Sequence, residues 1–168
     1  KSLKEGLEFV IDNKLLMLQF LSALGDSYNS LQEYLKSDKA FDDALKVDSD
    51  NTYVLNNYAY YLSLRNTELD KAEKLSKRSN ELRPNERAYM DTYGWILYQK
   101  KKYNEAEEWL SRAAKAGPKS PDILEHYGDL LYRLNKAEKA LEFWNFAKQA
   151  GGNSPGLLKK IKEKKISD

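Results

Sequence analysis

Apolar residues return at intervals of three and four along four stretches of this chain: Leu21, Leu24 and Tyr28; Leu55, Tyr58 and Leu62; Met90, Tyr93 and Leu97; Leu124, Tyr127 and Leu131. That spacing draws one apolar stripe along a helix, and no stretch alternates as a strand would. Behind each stripe a second helix is predicted, with Phe41, Leu110 and Trp144 at one slot and polar Ser76 at the same slot of the second stretch. The chain therefore reads as a run of helical hairpins.

A second pattern lies on the first. Gly, Ala or Ser stands at three fixed places in every stretch: Gly25, Ser37 and Ala44; Ala59, Ala72 and Ser79; Gly94, Ala106 and Ala113; Gly128, Ala140 and Ala147. Where two helices of a hairpin cross closely, anything beyond a methyl or hydroxymethyl group pushes the axes apart. The period is 34 residues, giving units at 18–51, 52–86, 87–120 and 121–154, and the second carries one extra residue near Asn66 to Asp70. A stack of such hairpins is a repeat solenoid, stable only when several units bury one another's faces.

The two ends differ. Residues 1–17 place Leu3, Leu7 and Val10 where the second helix of a preceding unit would have them, so the array is expected to begin upstream. Pro155 opens a last segment, 155–168, in which Leu158 and Ile161 continue the apolar slots while Lys162 falls where Gly or Ala belongs. With Lys159, Lys160, Lys164 and Lys165 it is expected to present a wet outer face, as a capping helix does.

Charge and composition narrow the chemistry. Lys and Arg number 28 against 26 Asp and Glu, so a net charge of +2 supplies no strong field for nucleic acid or anionic lipid. The basic run Lys100, Lys101 and Lys102 and the lysines of the last segment read as solvation, and no nucleic-acid partner is expected. No apolar run approaches a membrane span, so direct membrane insertion is not expected either. There is no Cys, and His126 is the only histidine. Glu125, Asp129 and Asp122 lie within a helical turn of it, but nothing completes a usual zinc set. No phosphate loop, dinucleotide fingerprint or Gly-flanked Ser nucleophile appears. The expectation is a non-catalytic protein with no metal and no cofactor.

Arg87 to Ser120, with Met90, Tyr93-Gly94, Leu97, Ala106, Leu110, Ala113 and Pro118, resembles the tetratricopeptide repeat, and the other units follow with Ser49 and Gly152 in place of the closing Pro. The resemblance implies an all-α, right-handed α-solenoid of antiparallel helix pairs. It has about four units, a preceding half-repeat helix and a C-terminal capping helix, and makes a single domain over 1–168. The runs Leu55-Asn56-Asn57-Tyr58-Ala59-Tyr60 and Asp91 to Tyr98 further resemble the C-terminal array of a larger bacterial protein of this kind. Many of those are exported or envelope-associated, which implies a periplasmic or envelope location, the targeting segment itself not being legible here.

The resemblance also implies a concave groove lined by the first helix of each unit. Carried over place by place, it holds Gln19, Ser22, Asp26 and Asn29, then Tyr53, Asn56, Asn57 and Tyr60. The third unit adds Asp91, Thr92, Trp95 and Tyr98, and the fourth Asp122, Glu125, His126, Asp129, Tyr132 and Arg133. Trp95 and Tyr60 are expected as apolar anchors, Asn56 and Asn57 as hydrogen-bonders to peptide backbone, and Asp91 as a selector for positive charge. The same aromatics border the core and also fit inter-helix packing, and the acids also fit a solvated helix face. A clamp for a C-terminal carboxylate is excluded, because its basic slots carry Ser22, Asn56, Asp91 and Glu125, then Ala23, Asn57, Thr92 and His126. The expected function is a protein–protein interaction scaffold binding a peptide segment or helix of a partner, basic or amphipathic in character. The alternative is a structural, self-associating segment of a larger solenoid.

Overall fold

The computed structural model describes residues 13–117 and 119–166. The expectations placed on Leu3, Leu7, Val10 and Pro118 lie outside the described residues. Among those described the chain is all-helical, with α1 Lys14–Ser30, α2 Tyr34–Val47, α3 Thr52–Leu64, α4 Leu69–Leu82, α5 Arg87–Gln99, α6 Tyr103–Lys115, α7 Pro121–Arg133, α8 Ala137–Gln149 and α9 Pro155–Glu163. Helix α1 starts at Lys14 and so runs through the expected unit boundary at Leu18. No described helix is long and apolar enough to cross a membrane.

Local chemistry sets several of these ends. Asn13, Asn51 and Ser154 cap α1, α3 and α9, their side chains accepting from Leu15 N at 3.1 Å, Val54 N at 3.1 Å and Leu157 N at 3.1 Å. Pro121 and Pro155 open α7 and α9, where a missing N–H removes nothing the helix would use. Each first helix of a hairpin stops the same way, with Gln32, Asn66, Lys101 and Asn135 in left-handed backbone at φ 60°, 51°, 60° and 59°. The next N–H then reaches back five residues, as Glu33 N does to Tyr28 O at 2.8 Å and Lys102 N to Leu97 O at 2.9 Å. The repeating turn is thus a backbone device built without glycine. In the second unit the extra residue falls in this turn, where Glu68 adds a second left-handed residue at φ 44°.

Packing is strongest within the pairs α1/α2, α3/α4, α5/α6 and α7/α8, and each pair leans on the next to make a right-handed solenoid closed by α9 on α8. All twelve small places are buried. Added Cβ atoms at Gly25, Gly94 and Gly128 would each come within 2.6 Å of a side-chain atom of Phe41, Leu110 and Trp144 respectively. The glycine on one helix is therefore the space that the bulky slot of the other helix occupies. In the second unit the equivalent places hold Ala59 and Ser76, a methyl added on one side and a large side chain withdrawn on the other; both are fully buried. Size complementarity explains why Ser76 breaks the apolar slot. Each large side chain so enclosed contributes roughly 1.5 to 3 kcal/mol.

Three expectations are corrected. Leu157, fully buried, anchors α9 in the core, whereas Leu158 is 41% exposed; Ile161 keeps its expected slot, partly buried against the core. Lys160 is not on a wet face: its ammonium lies 2.8 Å from Glu125 Oε1 and 2.6 Å from Asp129 Oδ2. Lys100 and Lys102 are not merely solvated either, since Lys100 pairs with Asp70 and with Glu73 at 2.5 Å, and Lys102 with Glu73 at 2.9 Å. These pairs join the turn of one unit to the second helix of the unit before.

Candidate functional site

Two cavities open along the side of the stack presented by the first helices. One, about 410 Å³, lies between α1 and α3 and is lined by Leu15, Leu18, Gln19, Ser22, Ala23, Asp26, Asn51 and Tyr53. The other, about 250 Å³, spans α3, α5 and α7 and is lined by Asn56, Tyr60, Ala88, Asp91, Thr92, Ser120, Asp122, Ile123 and His126. Since helix positions three and four apart share a face, most of these residues recur at the second, fifth, sixth and ninth places of their units.

The first cavity is held at its rim by tyrosines. Tyr53, half exposed, donates its hydroxyl to Asp26 Oδ2 at 2.7 Å, and Tyr61 donates to Asp26 Oδ1 at 3.0 Å. The hydrogen bond to Asp26, with burial, pushes the Tyr53 phenol up to about 12. Asp26 is therefore an acceptor satisfied from within, and Tyr53 stays half exposed.

The second cavity gathers six of the expected residues, Asn56, Tyr60, Asp91, Thr92, Asp122 and His126, from three helices. Asn56 is 7% exposed, its Nδ2 donating to Asn57 Oδ1 at 3.4 Å while its Oδ1 has no partner. His126 Nδ1 lies 3.1 Å from both oxygens of Asp91. Burial pulls the imidazole down, but the Asp91 charge and hydrogen bond, with Asp129 and Asp122 behind it, outweigh that and hold His126 above its ordinary value. Tyr60 is raised by burial and then by the charges of Asp122 and Asp91. The negative field of these carboxylates reaches the cavity.

Beside this cavity runs an aromatic stack. Trp95 lies between Tyr98, at 4.6 Å and 9°, and His126, at 4.1 Å and 16°. Both faces of the indole are covered, and its Nε1 is buried without a partner. Glu125, Asp129 and Tyr132 belong to the other end. Lys160 occupies the two carboxylates, Trp144 Nε1 donates to Asp129 Oδ1 at 2.8 Å, and Tyr132 tilts over Trp144 at 5.8 Å. Asp129 and Glu125 hold Lys160 above the ordinary lysine value against the opposing pull of burial.

Sequence reasoning missed Lys160 as a member of this face. The signal lies one unit apart, since Asp91 meets His126 and Glu125 meets Lys160 at a separation of 35 residues. It also missed Ala88, Ser120 and Ile123 in the second cavity; Ser120 immediately precedes α7, and Ile123 stands at the third place of its unit, off the positions counted from the repeat. Among the described residues no three His, Asp or Glu side chains converge as a metal site.

The sequence matches the family model described as tetratricopeptide repeat over residues 12–158. No curated protein matches it significantly. Among solved structures the fold is similar to that of PilF from Pseudomonas aeruginosa, with a TM-score of 0.70 at 23% identity, covering 88% of this chain and 71% of that one. It is similar also to a tetratricopeptide repeat protein from Parabacteroides merdae, with a TM-score of 0.74 at 17% identity over 96% of this chain and 62% of that one. MamA from Desulfovibrio magneticus gives 0.70 at 15% identity over 80% and 75%. At these identities the likeness is one of fold.

Proposed function

The chain belongs to the tetratricopeptide repeat family, and from that membership we propose that it receives an extended or helical segment of another protein along the groove formed by α1, α3, α5 and α7. Proteins of this family are protein–protein interaction scaffolds, typically without catalysis. The observation that carries the finer reading is the coincidence of the two cavities, about 410 and 250 Å³, on the same recurring helix positions. A partner segment crossing both meets the open ring of Tyr53 first, then Asn57 and Asn56, then Tyr60. Apolar faces with polar tips at that spacing suit a main chain that needs hydrogen bonds and side chains that need pockets. Trp95, enclosed by Tyr98 and His126, acts in this reading as the wall that holds His126 in place.

The reading is tested by selecting random peptides on the immobilised protein and measuring their affinity by fluorescence anisotropy. Tyr53→Ala and Asn57→Ala are expected to weaken binding about tenfold each with unchanged helicity. Failure to enrich any peptide, or binding indifferent to both changes, would refute it. Self-association is the second reading, favoured by the exposed Leu31, Tyr34 and Leu35, the last 88% exposed, at the turn between α1 and α2. Sedimentation across a concentration series decides it, a strict monomer counting against.

A further inference from the structure

The fifth place of each unit faces the sixth place of the next, and the pairing can be followed down the stack. Between the third and fourth units, Asp91 holds the imidazole of His126 at 3.1 Å. Between the fourth unit and α9, Glu125 holds the ammonium of Lys160 at 2.8 Å, with Asp129 beside it at 2.6 Å. Each of these two junctions sets a nitrogen-bearing, protonatable side chain of the chain itself against an acceptor on the preceding first helix.

The two earlier junctions do not follow this pattern: the first holds Ser22, whose hydroxyl donates to Leu18 O at 2.7 Å, and Asn57, and the second, between the second and third units, leaves an acceptor open. The two places of this second junction hold Asn56 and Thr92. The threonine is too short to cross, and its hydroxyl turns back to donate to Ala88 O at 3.0 Å. Asn56, 93% buried by the complement of its 7% exposure, is left with an unpartnered Oδ1 while it lines the second cavity. A buried acceptor without a donor is destabilising, so an incoming donor is favoured. Asp122, exposed at the rim, selects the sign of that donor, Asp91 inside being already paired with His126. Tyr60 and Ile123 offer apolar surface for a long methylene stem.

We propose that this cavity is a socket for one arginine or lysine side chain of the partner segment, completing at the second junction the pairing that His126 and Lys160 complete at the next two. The inference rests on the groove reading above. The guanidinium or ammonium donates to Asn56 Oδ1 in the cavity and to Asp122 at its mouth. The remaining length of the side chain leads out to the groove, where the rest of the segment lies.

The test is an NMR titration of the intact, isotope-labelled chain with Nα-acetyl-arginine N-methylamide, and with the neutral, isosteric citrulline derivative. The arginine probe is expected to shift the Asn56 side-chain amide and the Ser120 backbone amide saturably, with the citrulline probe about tenfold weaker or silent. Asp122→Asn, a change at an exposed residue, is expected to weaken the arginine probe roughly fivefold. Thr92→Lys supplies the missing cation from within, so it is expected to abolish probe binding while raising the unfolding midpoint. Absence of saturation, equal binding of the citrulline probe, or undiminished binding to the Thr92→Lys variant would overturn the socket. Selected peptides that bind the groove without Arg or Lys, and that ignore Thr92→Lys, overturn the socket and leave the groove reading standing. Arginine-probe binding at Asn56 in a protein that captures no peptide supports the socket and removes only the groove.

Discussion

Gly25→Ala should destabilise the protein in the native background and stabilise it once Phe41 is alanine. A Cβ at position 25 would sit 2.6 Å from Phe41 Cζ and 2.8 Å from each Cε. Phe41 cannot retreat, being fully buried with its ring stacked on Tyr58 at 5.2 Å and tilted against Tyr61 at 5.8 Å. Overpacking of this kind costs about 1 to 3 kcal/mol, against about 1 kcal/mol gained by alanine over glycine in a helix interior. The native background should therefore lose up to about 2 kcal/mol. Leucine would not relieve the contact, since a Cβ at Gly94 meets Leu110 Cγ at 2.6 Å; alanine removes every crowded ring atom, so in Phe41→Ala the same change keeps only the helix-propensity gain of about 1 kcal/mol. Urea unfolding of the four proteins, followed by far-UV circular dichroism, measures the cycle, with the slope checked for constancy before midpoints are compared. Additivity within about 0.5 kcal/mol would refute the packing argument, as would stabilisation by Gly25→Ala alone. The second unit carries the natural counterpart, with Ala59 and Ser76 at the same two places.

Other consequences can be measured separately. Because His126 is held above its ordinary value, its protonation stabilises the fold fully below about pH 6.5, and that contribution is lost as pH rises through the folded value, by at most about 1.4 kcal/mol per pH unit. It is the only histidine, so one imidazole resonance reports the titration without assignment, and a value at or below 6.5 would contradict the Asp91 pairing. Lys160→Met leaves Glu125 and Asp129 without their cation and should cost on the order of 3 kcal/mol, seen first as lost hydrogen-exchange protection in α9; unchanged protection would show that Leu157 alone docks the helix. Lys101→Gly relieves left-handed strain at an exposed residue and should stabilise by about 0.5 to 1 kcal/mol in thermal unfolding, a loss of stability counting against the turn geometry.

The fold was legible because its determinants are local and repeated. Gly25, Gly94 and Gly128 return beside bulky Phe41, Leu110 and Trp144 within single hairpins, and the stripes at three- and four-residue spacing orient each helix. The turns were less legible, since Gln32, Asn66, Lys101 and Asn135 share a left-handed backbone and no common side chain. On the candidate face, the repeat alone assigns Tyr53, Asn56, Tyr60 and Asp91 to one side of their helices. It does not say whether each is free.

Periodicity by itself determined the helices and their pairing, because each depends on residues within one hairpin, and the resemblance to the repeat family implied the side of the stack on which the groove residues collect. Tertiary structure alone decided which of those residues are already in use. Lys160 comes to rest on Glu125 and Asp129, His126 on Asp91, and Trp95 between two rings, while Asn56 is left without a donor. Those outcomes turn on how far each unit advances on the one before it, and on which side chain is long enough to reach across. Thr92 is not, and that single shortfall leaves the open acceptor.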